Sequence, residues 1–271
     1  MIEPFDLESL DLGAIDAETA ELNARLEAAL AAAPSILTQP AAAVRAARER
    51  GESLWGPVVT VPEARTMAVR HLGNSVPVRV IAPQGTPRGI YLHLHGGGWT
   101  LGAAHHADVR NRQISKLGLC VVSVEYRLAP EHPYPAGPDD CEVVADWLLE
   151  GGADEISPGG AALPLLIGGE SAGAHLSLVT LLRLRDRRGS AGFAAANLVY
   201  GCYDLRLTPS AVRWGDRNLV LSTPILHWFV DHFLQGRTTD DPDVSPLRAD
   251  LRELPPALLT VGTLDPLLDD S

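Results

Sequence analysis

A chain of 271 residues, 46% hydrophobic and 21% charged, is long enough to bury a full core as one large domain or two small ones. Its 34 acidic side chains against 22 basic ones give a formal charge of -12, with the basic residues scattered. No patch exists to neutralise a phosphate backbone, so nucleic acid is not an expected partner. Aromatics at 5%, with 25 glycines and 21 prolines, suit many tight turns between elements built from Ala, Leu and Val.

Met1 to Leu12 carries four carboxylates and neither a basic n-region nor an apolar h-region, which does not read as a signal peptide. No later stretch approaches 18 uninterrupted apolar residues, so a soluble cytoplasmic protein is expected. Asp16 can cap a helix in which Leu22, Leu26 and Leu30 recur every four residues, with Pro34 beyond its end. A second helix is expected from Ala41 to Arg50, stopping at Gly51. The period then changes: Ala64 to His71 and Val76 to Ala82 read as strands around Gly73, Asn74 and Ser75, a hairpin pattern that puts the leading helices in a separate layer.

From residue 88 short apolar strands alternate with helices, the pattern of a mostly parallel sheet flanked by helices in an α/β fold. The expected strands are Gly89 to Leu94, Leu119 to Glu125, Leu163 to Gly168, Ala195 to Tyr200 and Ala257 to Val261. Helices are expected around Ala107 to Leu117, Pro138 to Glu150 and Ser171 to Arg188. A longer crossover, Tyr203 to Pro256, contains an amphipathic helix, Thr223 to Leu234, that could cover a site near the strand ends.

Gly169-Glu170-Ser171-Ala172-Gly173 follows an apolar strand and opens a helical pattern. Glycines on either side allow a strained strand-to-helix turn to lift the Ser171 hydroxyl clear of the sheet, while the helix start supplies N–H groups where an oxyanion would form. The same residues would also serve a serine-capped helix after a glycine turn. His95-Gly96-Gly97-Gly98-Trp99 follows directly on a strand, and three successive glycines there point to a close backbone approach rather than to a flexible loop. Two N–H groups of this turn with that of Ala172 would make a three-donor oxyanion hole.

His95-Gly-Gly-Gly-Trp99, Tyr126-Arg-Leu-Ala-Pro-Glu131 and Gly169-Glu-Ser-Ala-Gly173, in this order and at these separations, resemble the hormone-sensitive lipase family of α/β-hydrolase carboxylesterases. The resemblance runs from about Gly89 to the end of the chain. It implies an α/β-hydrolase core over residues 53–271, an N-terminal helical cap over 1–52 and a cap-like insertion at about 203–240. It also implies Ser171 as nucleophile, with Gly97, Gly98 and Ala172 as oxyanion donors. The substrate it implies is a small-molecule ester with a short to medium acyl chain; no cofactor is needed, and a homodimer is left open. Thr263-Leu264-Asp265-Pro266-Leu267 matches the family's late carboxylate segment, which makes Asp265 the implied partner of a catalytic histidine; alone, an Asp before Pro would simply start a turn.

The family's histidine is expected roughly 30 residues after the acid, and all nine histidines, at 71, 93, 95, 105, 106, 132, 175, 227 and 232, lie upstream of Asp265. The expectation is therefore a chain with its C-terminal helix and strand missing, extended in the full protein by about 40 residues. Without the base it would be weak or inactive. The runner-up is a non-catalytic binding protein that kept the pocket. The strand at Ala257 reads as buried on both faces, and an open edge there would favour aggregation. His175 is expected in the core, and His95 and His132 in structural roles. His93, His95, His105, His106 and Asp108 could be read as a hydrolytic zinc site, but two-residue spacing is weak support and no metal is expected. Cys120, Cys141 and Cys202 lack C-x-x-C spacing and read as reduced core residues.

Overall fold

The computed structural model describes residues 15–271; the acidic leader lies outside the described residues. The expected hairpin is β1 (Arg65–His71) and β2 (Asn74–Ile81), antiparallel and turning on Leu72 and Gly73. It leads into β3 (Gly89–Leu94), β4 (Leu119–Val124), β5 (Leu165–Glu170), β6 (Ala195–Val199) and β7 (Ala257–Thr260). These seven strands form one sheet in the order β1-β2-β4-β3-β5-β6-β7, with β2 antiparallel to β4 and every later pair parallel.

The helices are α1 (Ala17–Ala32), α2 (Ala41–Glu49), α3 (Asp108–Ser115), α4 (Ala136–Trp147), the short α5 (Ala153–Ile156), α6 (Ala172–Arg188), α7 (Pro209–Trp214) and α8 (Thr223–Leu234). All six residues of β3 are buried, and α6 buries an unbroken run from Ala172 to Leu182. A near-continuous apolar strand and a helix apolar on most sides are what the centre of a covered parallel sheet requires. The chain runs from β3 outward to β4 and then returns to β5 on the other side of β3. Strand order thus reverses between β3 and β5, and the crevice above their C-terminal ends is where such sheets bind ligands. Both glycine motifs sit there, because Leu94 pairs with Gly169 in register.

Asp16 caps α1 as expected, accepting from the Thr19 N–H at 2.6 Å. The leucine repeat is only partly covered: Leu26 and Leu30 are half-buried, Leu22 is 55% exposed and no residue of α1 is buried. A Glu27–Arg217 ion pair links α1 to the long crossover, and Arg45 of α2 donates to the carbonyls of Thr100 and Ala129 at 2.8 and 3.3 Å while pairing with Glu131. The three cysteines are free and buried.

Several expected bounds move. The strand read as Leu163 to Gly168 is Leu165–Glu170, running up to Ser171, because Leu163 closes a short turn and Pro164 offers its carbonyl to the Ile90 N–H. The helix read to Glu150 keeps α geometry only to Trp147; Gly151 takes φ +97°, and a Cβ on Gly152 would meet the Trp147 ring at 2.1 Å. The larger correction concerns β7, which is exposed at all four positions rather than buried on both faces, with Leu258 65% exposed. It is hydrogen-bonded to β6 alone among the described strands.

Candidate active site

Ser171 sits between the end of β5 and the start of α6 at φ 54°, ψ −121°, a conformation costing a non-glycine residue of order 1–3 kcal/mol. The turn is held from outside. Ser171 N–H donates to Val199 O at the end of β6 at 2.9 Å, and His175 N–H donates to Ser171 O at 3.1 Å. The flanking glycines are there for contact: a Cβ on Gly169 would lie 2.0 Å from Leu94 O, and one on Gly173 1.9 Å from the same atom. The hydroxyl is lifted because helix and strand close on the β3 backbone at distances that only glycine permits.

After β3 the chain turns through Gly97 at φ 124°, Gly98 at 57° and Trp99 at 57°. A Cβ on Gly97 would meet Leu101 O at 2.2 Å and one on Gly98 would meet Phe229 Cδ1 at 2.1 Å, so the second glycine exists to receive a side chain from α8. Gly97 O accepts from the N–H groups of Thr100 and Leu101. The N–H groups of Gly97, Gly98 and Ala172 have no acceptor among the described residues. Gly98, Ser171 and Ala172 line one narrow cleft together with Leu226 and Phe229 of α8 and with Leu267. The long crossover therefore covers the strand ends, as expected.

Asp265 lies on the turn that brings Leu267 to this cleft. Its Oδ1 accepts from Leu267 N–H at 2.9 Å, and burial raises its pKa against that bond. No histidine side chain hydrogen-bonds to the Ser171 hydroxyl or the Asp265 carboxylate within the described residues. His175 is fully buried, accepts from Trp99 Nε1 at Nδ1 (3.0 Å) and donates from Nε2 to Val244 O (2.9 Å), a strut that ties the glycine turn to α6. His95 donates from Nδ1 to Gly96 O at 2.8 Å and stacks on Tyr126, whose hydroxyl donates to His95 O. Burial lowers both imidazoles to about 4, so each is neutral at pH 7. The core placement expected for His175 and the structural one for His95 both hold.

The residue missed in the sequence is Glu170. Its Oε1 accepts from Gly96 N–H (2.9 Å) and from Arg110 (2.6 Å), while Oε2 faces His93 Nε2 (3.2 Å). Burial alone would raise this carboxyl, but His93, Arg110 and the Gly96 N–H together hold it down to about 2. The only hint was a carboxylate beside the serine. Glu170→Gln should destabilise the fold by about 2 kcal/mol at pH 7, since charged hydrogen bonds are replaced by a neutral amide. The native carboxyl titrates near 2 against an ordinary 4.5, so its stabilisation is complete above pH 4.5 and is lost as pH falls toward 2. The gap between variant and parent in urea melts should therefore shrink at about pH 3; a constant gap would contradict this assignment. Asp270 was also missed: it is buried, accepts from the N–H groups of Tyr203 and Asp204 at 2.6 and 2.9 Å and from Thr208 Oγ1 at 2.7 Å, and so pins the chain after β6 to the segment after β7.

The zinc set considered from the sequence does not converge. His93 is buried against Ser123 and Glu170, His95 points into its own turn, and Asp108 is held by Arg79 at 2.6 Å and by Val61 N–H at 3.0 Å.

Sheet order and the strained serine turn define an α/β-hydrolase. The α/β-hydrolase fold family matches residues 91–271. The chain is 32% identical over 231 residues to the carboxylic ester hydrolase LipN of Mycobacterium tuberculosis, covering 81% of this chain and 60% of that protein. It is 34% identical over 242 residues to the carboxylesterase NlhH of the same organism, covering 84% of this chain and 73% of that one. A hormone-sensitive lipase from a metagenome library superposes with a TM-score of 0.78 at 26% identity, covering 95% of this chain and 82% of that one. The chain belongs to the hormone-sensitive-lipase type of α/β-hydrolase carboxylesterases, and spans less than two thirds of the length of LipN. No described helix is long and apolar enough to cross a membrane.

Proposed function

We propose that this protein is a serine carboxylesterase acting on short to medium acyl esters through an acyl-enzyme. The observation that carries this reading is Ser171, held at positive φ in one cleft with the Gly98 and Ala172 backbone, whose N–H groups have no other acceptor among the described residues. In this reading Ser171 Oγ attacks the ester carbonyl carbon, and the carbonyl oxygen becomes an oxyanion held by the N–H groups of Gly97, Gly98 and Ala172. Collapse expels the alcohol and leaves the acyl group on Ser171; water then attacks the acyl carbon, and the acid leaves. A general-base histidine, oriented by Asp265, takes the Ser171 hydroxyl proton and returns it to the leaving alcohol; no histidine side chain among the described residues hydrogen-bonds to Asp265 or to that hydroxyl. Residues 1–52 and the crossover at about 203–240 act as the cap. Phe229 against Gly98 closes the cleft on the cap side and supports a preference for small acyl groups.

Residues 1–271 should accordingly hydrolyse p-nitrophenyl butyrate only slowly, because the serine hydroxyl lacks an adjacent base. Ser171→Ala should remove what turnover there is, and chelator should change nothing. Turnover at ordinary esterase rates, about 1–1000 per second, and lost in Ser171→Ala, would overturn the statement about the base. Turnover unaffected by Ser171→Ala would overturn the serine mechanism, and no turnover above background would favour the second reading, a non-catalytic binding protein on the same fold.

A further inference from the structure

We propose that Glu49, His105 and His106 form a binding site for one divalent transition-metal ion of the zinc class, distinct from the Ser171 cleft. Glu49 ends α2, and the two histidines lie on the short helical turn at Ala104–Ala107 that follows the glycine motif. One ligand atom from each lies within 4.8 Å of the others. His106 Nε2 is 2.7 Å from Glu49 Oε1 and His105 Nε2 is 3.1 Å from Oε2. Two imidazole nitrogens and a carboxylate are the donors that zinc, cobalt and nickel prefer. Tetrahedral zinc with bonds near 2 Å sets its ligand atoms about 3.3 Å apart, so the imidazole-to-carboxylate gaps need to open by about 0.6 Å at His106 and about 0.2 Å at His105.

The surroundings favour a cation. Glu125 accepts from Ala104 N–H at 2.8 Å beside the same turn, and the chain carries a formal charge of -12. Arg48 on α2 is a positive charge close enough to act on His106, but its Nη1 is engaged by Ser53 Oγ and Gly56 O. All three ligands keep contact with solvent, which leaves the ion an entry path and room for water as its fourth ligand. The other candidate cluster, His71 with Asp146 and Glu150, is disfavoured because Arg187 and Arg188 already occupy Asp146.

The site joins residues 56 positions apart and clips α2 to the core. One turn earlier on α2, Arg45 holds Thr100 O and Ala129 O, so the ion braces the segment that supports the glycine turn.

The test is calorimetric titration of Zn²⁺ into the chelator-treated chain, with Co²⁺ absorption as a second readout. The wild type should bind one equivalent with micromolar affinity, show visible d–d bands with Co²⁺, and melt about 4 °C higher at a hundredfold excess over Kd. Glu49→Gln should weaken binding at least about tenfold and His105→Ala/His106→Ala by more than about a hundredfold, with metal-free melting temperatures and circular dichroism unchanged. His71→Ala should bind like the wild type. No saturable binding by the wild type, or wild-type affinity in the double variant, would overturn the proposal.

Discussion

Gly173→Ala should cost more than about 4 kcal/mol or prevent folding outright. Helix propensity argues the other way, since alanine is favoured over glycine inside a helix by about 1 kcal/mol. Packing wins. The added Cβ would lie 1.9 Å from Leu94 O, 2.6 Å from Leu94 C and 2.8 Å from His95 O, all backbone atoms. They cannot give way, because β3 is buried along its whole length and hydrogen-bonded to β4 on one side and β5 on the other. Relief requires moving α6 off the sheet, which exposes the unbroken buried run from Ala172 to Leu182 and pulls Ser171 from its turn. Gly262→Ala is the control: a Cβ there meets nothing within 4 Å, so its effect should stay within about 0.5 kcal/mol. Urea unfolding of the two variants decides the matter, and a parental midpoint for Gly173→Ala would show that α6 does not close on β3 as described.

Acid should destabilise the protein well above the range in which carboxylates titrate. His95 and His175 are buried neutral, with pKa values of about 4 against an ordinary 6.5. Below pH 6.5 the unfolded chain takes up two protons that the native state refuses until about pH 4, so stability is full above that window and falls through it. Each histidine accounts for about 3 kcal/mol over the window, and the joint slope approaches about 2.7 kcal/mol per pH unit. The buried carboxyls of Glu125, Asp265 and Asp270, raised by desolvation, work in the opposite sense as they protonate, which flattens the lower end and leaves the upper edge in place. His175→Gln should lower stability at pH 7 by a few kcal/mol through the lost strut to Trp99 and Val244, yet halve the slope between pH 6.5 and 4. Midpoints of urea unfolding that stay constant from pH 7 to pH 5 would refute the buried neutral imidazoles.

Both results depend on features with very different visibility in the sequence. The glycine pairs around Ser171 and after Leu94 could be read directly, because a tight turn and a close backbone approach restrict the residue at the turn itself. Strand positions from Gly89 onward were also legible, since burial on both faces writes a continuous apolar run. β7, Ala-Leu-Leu-Thr, is as apolar as an inner strand and is exposed at every position within residues 15–271. Apolar content reports what a segment can bury, while its place in the sheet decides what it does bury. The leucine repeat of α1 marked the helix that forms, although no residue of that helix is buried.

The sequence by itself determined the α/β class, the serine turn, the glycine turn and the order in which they meet the chain. Each of these is a property of residues adjacent along the backbone. Only the tertiary structure decided that Glu170 grips Gly96 and Arg110, that His175 braces Trp99 against Val244, that Phe229 closes on Gly98, and that Glu49 meets His105 and His106. These contacts join residues tens of positions apart. Their partners, and the pKa values that burial imposes, come into being only when the sheet assembles and excludes water.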